Sequence, residues 1–554
     1  MRKTLSVLLS ILILIGMVSG CAGVAPQVIR ETVVVTSPPE VIKETVVVTP
    51  EMSLQAVEAT QAPKVAKYIF LFIGDGLGVA QRNAAELYLA SLKGAGRPEE
   101  SRLLMNTFPA QGMITTYDLT SVIPDSASTA TAMSTGFKTA SSVVGMDPTG
   151  KTPYQNISEI LAPKGWKIGI LTTVSLDHAT PAAFYAHVKS RNQFYDIAMQ
   201  LVNSGYDFFA GGQMLGAFKR QEGQPNPLEV AMQNGYTIAI GRQALEALKP
   251  GVGKVIAMNE LVDEDAAMYY SIDQDDSSHV TIAEYTAKAI ELLYNPNGFF
   301  IIVEGGKIDW ACHANDAGAS IHDTLALDAA ISEAVKFYEQ HPHETLIIVT
   351  GDHETGGMSI GYAGTRYASF MDKIQHQTMS YLEFTKKLAE YKATHTLETA
   401  KFEDVLPLIE EAFGLYVLPE EEKAALLKAI EAGKAEGATD EAKKAAKEAE
   451  RTLRYSMALT DLELEVLKEA FQNSMLGKEE RASDDYTYLL YGGYEPLAVK
   501  CTTILNQKAG IGWTSYSHTG TPVQVSALGV GSEQFNGYYD QTEIFSKMLK
   551  AAGM

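Results

Sequence analysis

The chain has 554 residues, 46% hydrophobic and 20% charged, a globular balance that excludes wholesale disorder and fibrous architecture. Its 45 basic and 67 acidic residues give a formal charge of −22, which argues against nucleic-acid binding, since that needs a basic footprint. A phosphate-bearing substrate is still admissible where local cations or metals invert the field inside a cleft, while three cysteines exclude a disulfide-rich scaffold and a Cys₄ zinc site.

Arg2 and Lys3 precede an apolar run from Leu5 to Val18, too short to span a bilayer comfortably and laid out as a signal peptide. The run ends in Val18-Ser19-Gly20-Cys21, which resembles the lipobox of bacterial lipoproteins. That resemblance implies cleavage after residue 20 and lipid on Cys21. The protein is then exported and held by its lipid anchor on the extracytoplasmic side of a cell-envelope membrane. An ordinary signal peptide with a chance cysteine is the alternative. Residues 21–66 read as a tether, in which Val28-Ile29-Arg30-Glu31-Thr32-Val33-Val34-Val35-Thr36 returns as Val41-Ile42-Lys43-Glu44-Thr45-Val46-Val47-Val48-Thr49. Two copies do not make a solenoid, and Pro38, Pro39 and Pro50 limit the Val/Thr runs to short extended pieces.

From residue 67 the character changes. Continuous apolar runs at Lys67–Ile73, Lys167–Thr173, Phe299–Val303 and Thr345–Thr350 suit strands buried on both faces. They lead respectively to Asp75, to Asp177-His178-Ala179-Thr180, to Glu304, and to Asp352-His353. Helical spacing between them, as over 283–294 and 321–339, indicates an α/β fold with a largely parallel central sheet flanked by helices. Ligands of such sheets bind beyond the carboxyl ends of the strands, where these acids, histidines and Thr180 fall.

Asp309 and His313 are four apart and share one face if their segment is helical, so both can reach one metal. Oxygen-plus-imidazole ligation suits zinc, and Asp75, Thr180 and Glu304 form an all-oxygen set suited to magnesium. Single histidines such as His322, His341, His343, His376 and His395 read as surface or core residues. Ser126, in the small-residue run Asp125–Ala132, would sit near backbone N–H groups if it opens a helix. A metal can activate such a serine without a histidine base. Tight helix packing is the other reading of this run.

These pieces, in order, resemble the alkaline phosphatase family. They are Ile73-Gly74-Asp75-Gly76, Asp125-Ser126-Ala127, His178-Ala179-Thr180-Pro181-Ala182-Ala183, Ala186-His187-Val188-Lys189-Ser190-Arg191, Val303-Glu304-Gly305 through Asp309 to His313, Thr350-Gly351-Asp352-His353, and Ser517-His518-Thr519-Gly520. The resemblance implies phosphate-monoester hydrolysis through a phosphoserine at Ser126, with inorganic phosphate as product and inhibitor. Arg191 would grip the phosphate. Two zinc ions and one magnesium ion are implied: Asp309, His313 and His518 for one zinc; Asp75, Asp352 and His353, with Ser126, for the other; Asp75, Thr180 and Glu304 for magnesium. His518 is singled out by the family pattern alone. His178 and Trp310 stand where the best-known enteric member has Asp and Lys, and are placed beside the metals and the phosphate. A phosphodiesterase or sulfatase of the same superfamily, and a lipid-anchored protein that captures phosphate or metal, are the competing readings.

Between His353 and His518 the stretch 382–482 is charged and helical in spacing: Phe402, Val405, Leu406, Ile409 and Phe413 form one stripe, and Leu426, Leu427 and Ile430 another. Thr460 and Glu463 fit a capping box. We read it as an inserted helical cap dividing the catalytic domain into 67–381 and 483–554. An inert insertion, a substrate lid and a homodimer contact are its candidate roles. Cys312 reads as packing or ligation, and pairing with Cys501 depends on their separation.

Overall fold

The computed structural model describes residues 65–94, 97–98, 101–274, 278–477 and 484–554. The signal peptide, Cys21 and all but the last two residues of the tether lie outside the described residues. The tether's last residue, Ala66, is buried and donates its N–H to Ala551 O at 2.8 Å.

Ten strands form one sheet: β1 Tyr68–Gly74, β2 Ala110–Thr115, β3 Lys167–Thr172, β4 Phe208–Gly211, β5 Tyr236–Ile240, β6 Lys254–Met258, β7 Phe299–Gly305, β8 Thr345–Gly351, β9 Val523–Gly529 and β10 Gly537–Asp540. Their order is β10-β2-β9-β8-β1-β7-β3-β4-β6-β5. Only β9 runs antiparallel to its neighbours, β8 and β2. The expected largely parallel sheet is therefore present. All seven residues of β1, β7 and β8 are buried. Alternation sends Phe70, Phe72, Phe299, Ile301, Ile347 and Val349 into one core, and Ile69, Leu71, Phe300, Ile302, Leu346 and Ile348 into the other. Each such side chain contributes roughly 1.5–3 kcal/mol by leaving water. That two-sided burial explains runs such as YIFLFI: neither strand face can be polar.

Register then levels the strand ends. Gly74 lies opposite Gly305 on one side and Gly351 on the other, while Thr172 lies opposite Glu304. Asp75, Glu304 and Asp352 therefore emerge together at the carboxyl edge.

The expected helical spans appear as Ile282–Leu293 and Ala317–Gln340. In the charged stretch, helices run Tyr381–Thr394, Phe402–Phe413, Glu420–Lys434, Asp440–Tyr455 and Asp461–Met475, followed by Asp485–Tyr491 and Pro496–Ala509. Phe402, Val405, Ile409 and Phe413 are buried, and Thr460 and Glu463 form the capping box. The Glu420–Lys434 helix buries none of its residues, and Leu427 is exposed. Cys312 and Cys501 are both buried free thiols.

Candidate active site

The nucleophile candidate opens a helix, as its small-residue run suggests. Ser126 is the first residue of the Ser126–Thr135 helix, and Asp125 caps it by accepting from Ser128 N at 3.1 Å. All ten residues of this helix are buried, which the Ser/Ala/Thr composition permits at close approach. Ser126 Oγ lies 3.3 Å from His353 Nε2 and 3.5 Å from Asp75 Oδ1. His353 Nε2 is also 3.3 Å from Asp75 Oδ1 and from Asp352 Oδ2. Asp75, Asp352, His353 and Ser126 thus converge on one point. The turn that aims Asp75 requires glycine: Gly76 has φ +70°, a Cβ there would sit 2.9 Å from Asp309 Cα, and its N–H donates to Asp352 Oδ1 at 3.1 Å.

A second point of convergence lies beside it. Asp309 and His313 occupy the helix Lys307–His313, with His313 Nε2 3.3 Å from Asp309 Oδ2. His518 Nε2 approaches His313 Nε2 to 3.1 Å and Asp309 Oδ1 to 3.6 Å. The outer nitrogens are tied back: His313 Nδ1 to Tyr516 O and His518 Nδ1 to Pro124 O, each at 2.7 Å. A carbonyl only accepts, so both Nδ1 atoms carry the proton and both Nε2 atoms point inward as donors of a lone pair. A short antiparallel pairing of Glu354–Thr355 with His518–Thr519 brings His518 in, stacking its ring on His353 with centroids 3.7 Å apart.

The third group is deeper. Asp75, His178 and Glu304 bring ligand atoms within 4.8 Å of one another. Asp75 Oδ2, Thr180 Oγ1 and Glu304 Oε1 are buried without a hydrogen-bond partner. Buried polar atoms are normally paired, so three orphaned oxygens in this region suit a hard cation. Asp309 lies within reach of both other sets, grouping with His313 and His518 and also with Asp75 and His353, and His178 lies closer to Asp75 and Glu304 than expected.

The electrostatics carry the same message. Burial, reinforced by Asp352 and Asp309, pushes the Asp75 carboxyl well above the usual carboxylate range. Burial likewise pushes Glu304 and Asp352 up to about 7. Burial also works against the ionised form of Asp309, but His313, His518 and His353 together overcome it and hold that carboxyl well below its ordinary value. Burial and the nearby Arg191 push His178 down to about 3, and burial and His518 hold His353 well below the usual imidazole range. The cluster thus packs four carboxyl groups against four imidazoles, with Arg191 as the nearby fixed positive charge.

Arg191 faces the nucleophile. Its Nη1 donates to Asp125 Oδ2 at 3.1 Å and its Nη2 to His178 Nε2 at 3.3 Å. The role of Asp125 as both helix cap and arginine clamp was missed in the sequence; its place before the serine signals only the cap. Trp310 meets the His178 ring edge-on at 5.8 Å, and Lys307, which sequence reading passed over, lies 4.5 Å from the Trp310 ring. Lys307 is buried and paired with Asp263 Oδ2 at 2.7 Å. His187 lies elsewhere, held by Gly145 O and Glu159. Ser126, Arg191, His178, Asp309, His313 and His518 open onto a cavity of about 370 Å³. Two larger clefts, of about 710 and 880 Å³, contain none of the predicted site residues, so chemistry rather than size locates the site. Among the described residues, none between 382 and 477 lines the 370 Å³ cavity.

Fold and site together define an α/β protein with a buried serine at a helix start beside a carboxylate–imidazole cluster, at the carboxyl edge of a largely parallel sheet. The family model described as alkaline phosphatase matches residues 66–208 and 218–554, and the chain belongs to that family. It is 28% identical over 513 residues to alkaline phosphatase 4 of Bacillus subtilis (strain 168), covering 90% of this chain and 92% of that one. It is 31% identical over 358 residues to alkaline phosphatase 4 of Drosophila melanogaster, spanning 56% of this chain and 59% of the fly protein. The fold is that of the cold-active alkaline phosphatase of a psychrophilic Shewanella (TM-score 0.66, 24% identity, 88% of this chain and 99% of that one). It is likewise that of the Thermus thermophilus enzyme (TM-score 0.62, 23% identity, 92% and 96%).

Proposed function

We propose that this chain hydrolyses phosphate monoesters with Ser126 as nucleophile and phosphoserine as intermediate. The observation that carries the reading is the placement of Ser126 Oγ, 3.3 Å from His353 Nε2 and 3.5 Å from Asp75 Oδ1, in a cavity that Arg191 also lines. The donors fit three cations: zinc at Asp309, His313 and His518; zinc at Asp75, Asp352 and His353, with Ser126 able to join; magnesium at Asp75, Thr180 and Glu304, beside His178. The orphaned oxygens of Asp75, Thr180 and Glu304 support the last assignment. Bound there, such cations supply Lewis acidity and offset the repulsion among the carboxylates.

The chain's own groups do the rest. Arg191 holds two phosphate oxygens through its planar fork. The helix N-terminus at Ser126 adds N–H groups and the positive end of the dipole. Ser126 Oγ, having lost its proton, bonds phosphorus as the ester P–O bond breaks, and the departing alkoxide takes a proton. Water then attacks the phosphoserine, the P–Oγ bond breaks, and Ser126 is reprotonated as phosphate leaves. A structure of the alkaline phosphatase of the Antarctic bacterium TAB5, with a histidine replaced by glutamate, holds magnesium in its M3 site. In this chain His178 brings a ring nitrogen within 4.8 Å of ligand atoms of Asp75 and Glu304, which supports treating it as the residue that sets the third cation's identity.

The proposal extends to the N-terminus: residues 1–20 direct export, and Cys21 carries lipid that holds the enzyme outside the cytoplasmic face. Cys21→Ala should move the protein from the membrane to the soluble fraction. The test of the activity is turnover of p-nitrophenyl phosphate by protein loaded with zinc and magnesium, with acid-quench trapping of labelled phosphate on the chain. Phosphate binding without turnover would favour a capture protein instead, and faster cleavage of a diester or sulfate ester a related hydrolase.

A further inference from the structure

The 370 Å³ cavity is lined by more than the proposed phosphate-binding groups. Phe194, Leu215, Trp310, Tyr381 and Tyr494 also line it, together with the exposed Lys219 and Asp265. These rings come from separate parts of the chain: Phe194 starts the helix Phe194–Asn203, Trp310 follows a predicted zinc ligand, and Tyr381 and Tyr494 flank the helical stretch.

The wall is held rigidly. Tyr381 is buried, its N–H donates to Asp316 Oδ2 at 2.8 Å, and its hydroxyl meets Tyr270 at 3.4 Å. Tyr494 packs against it edge-on, with ring centroids 5.5 Å apart at 85°. The Lys307 ammonium lies 4.5 Å from the Trp310 ring on the side away from bulk water, and the Lys219 ammonium 5.2 Å from the Phe194 ring. A fixed ring wall suits a flat, rigid guest better than a flexible polar one, because stacking and edge-on contacts need aligned faces and little entropy is lost on the protein side.

Resting on the phosphatase reading above, we propose that the leaving group this cavity selects is an alcohol bearing a planar aromatic ring, seated against the wall of Phe194, Trp310, Tyr381 and Tyr494 while its phosphate meets Ser126 and Arg191. A nucleoside and a simple arylmethyl alcohol share that chemistry. The experiment compares kcat/KM for two pairs of esters matched in leaving-group basicity: adenosine 5′-monophosphate against ribose 5-phosphate, and benzyl phosphate against cyclohexylmethyl phosphate. An aromatic guest stacked on protein rings should gain about tenfold. Preference in both pairs supports the planar-ring reading generally, and preference in the first pair alone identifies the ring as a nucleobase. Tyr494→Ala, and independently Phe194→Leu in case the first does not fold, should bring the paired rates together. Equal kcat/KM within both pairs overturns this inference and leaves phosphatase activity standing. Failure to cleave any of the four esters overturns the phosphatase reading and this inference with it.

Discussion

Arg191→Lys is the perturbation whose size follows most directly from the geometry. Both terminal nitrogens of Arg191 are already tied, one to Asp125 Oδ2 at 3.1 Å and the other to His178 Nε2 at 3.3 Å. Each terminal nitrogen carries two hydrogens, so each keeps one to donate to a phosphate oxygen. Lysine keeps the charge but brings a single nitrogen, which cannot stand at both positions. One of the two charge-assisted bonds to phosphate is lost, a cost of about 1.5–3 kcal/mol. At about 1.4 kcal/mol per tenfold, inorganic phosphate should bind roughly 10- to 150-fold more weakly. The assay is competitive inhibition by inorganic phosphate, with elemental analysis of the same preparations. An inhibition constant within about twofold of wild type at unchanged metal content would refute the fork geometry. A fall in metal content would instead place Arg191 in support of the cation cluster.

Ser126→Ala should lose the acid-stable phosphoenzyme and lower turnover by orders of magnitude while metal content is kept; undiminished labelling would refute Ser126 as nucleophile. Chelation should remove activity, and zinc plus magnesium should restore it; full activity in protein shown to be metal-free would overturn the proposed chemistry. The metal effect on stability has a sign: burial holds Glu304 and Asp352 near about 7, against about 4 in an unfolded chain. The folded metal-free protein therefore binds more protons between those values, and these groups destabilise it as pH rises through that window. Cations replace those protons, so calorimetry should find a larger gain in Tm from zinc plus magnesium at pH 8 than at pH 5.5; equal gains would show that these carboxyls are not the ligands. His178→Asp combined with Trp310→Lys adds an anionic oxygen beside the third cation and an ammonium near the phosphate, and should give stronger magnesium activation and tighter phosphate inhibition. The new lysine shares its surroundings with Lys307, so Trp310→Lys alone should also lower thermal stability. Activity against magnesium concentration in the double mutant and both singles, corrected for folded protein, checks this.

How much of the site could be read in advance depended on the range of the interaction that builds each part. Asp75, Glu304 and Asp352 were legible because each ends a seven-residue buried strand, and parallel pairing in register puts such ends side by side. Asp309 and His313 were legible because a helix brings residues four apart onto one face. His518 has no such local rule. It reaches the cluster through a two-residue pairing with Glu354–Thr355 and a hydrogen bond to Pro124 O, both distant in sequence, so only the family pattern pointed to it. The clamp between Asp125 and Arg191 escaped notice for the same reason.

The helical stretch shows the opposite limit. Its periodicity and capping box predicted helices correctly, and the Phe402–Phe413 stripe is buried as expected. Periodicity cannot say how deeply a stripe is buried: Leu426, Leu427 and Ile430 repeat with equal regularity, yet their helix packs against Asp440–Tyr455 with none of its residues fully buried. Nor could it say which residues of the stretch matter to the site. Tyr381, just before it, and Tyr494, beyond its far end, line the cavity, and no described residue within the stretch does. On the proposed reading, the two tyrosines that bracket the helical stretch act on ester preference, and its middle does not. Deleting surface charges from the Glu420–Lys434 helix should leave ester preference unchanged, whereas Tyr494→Ala should not.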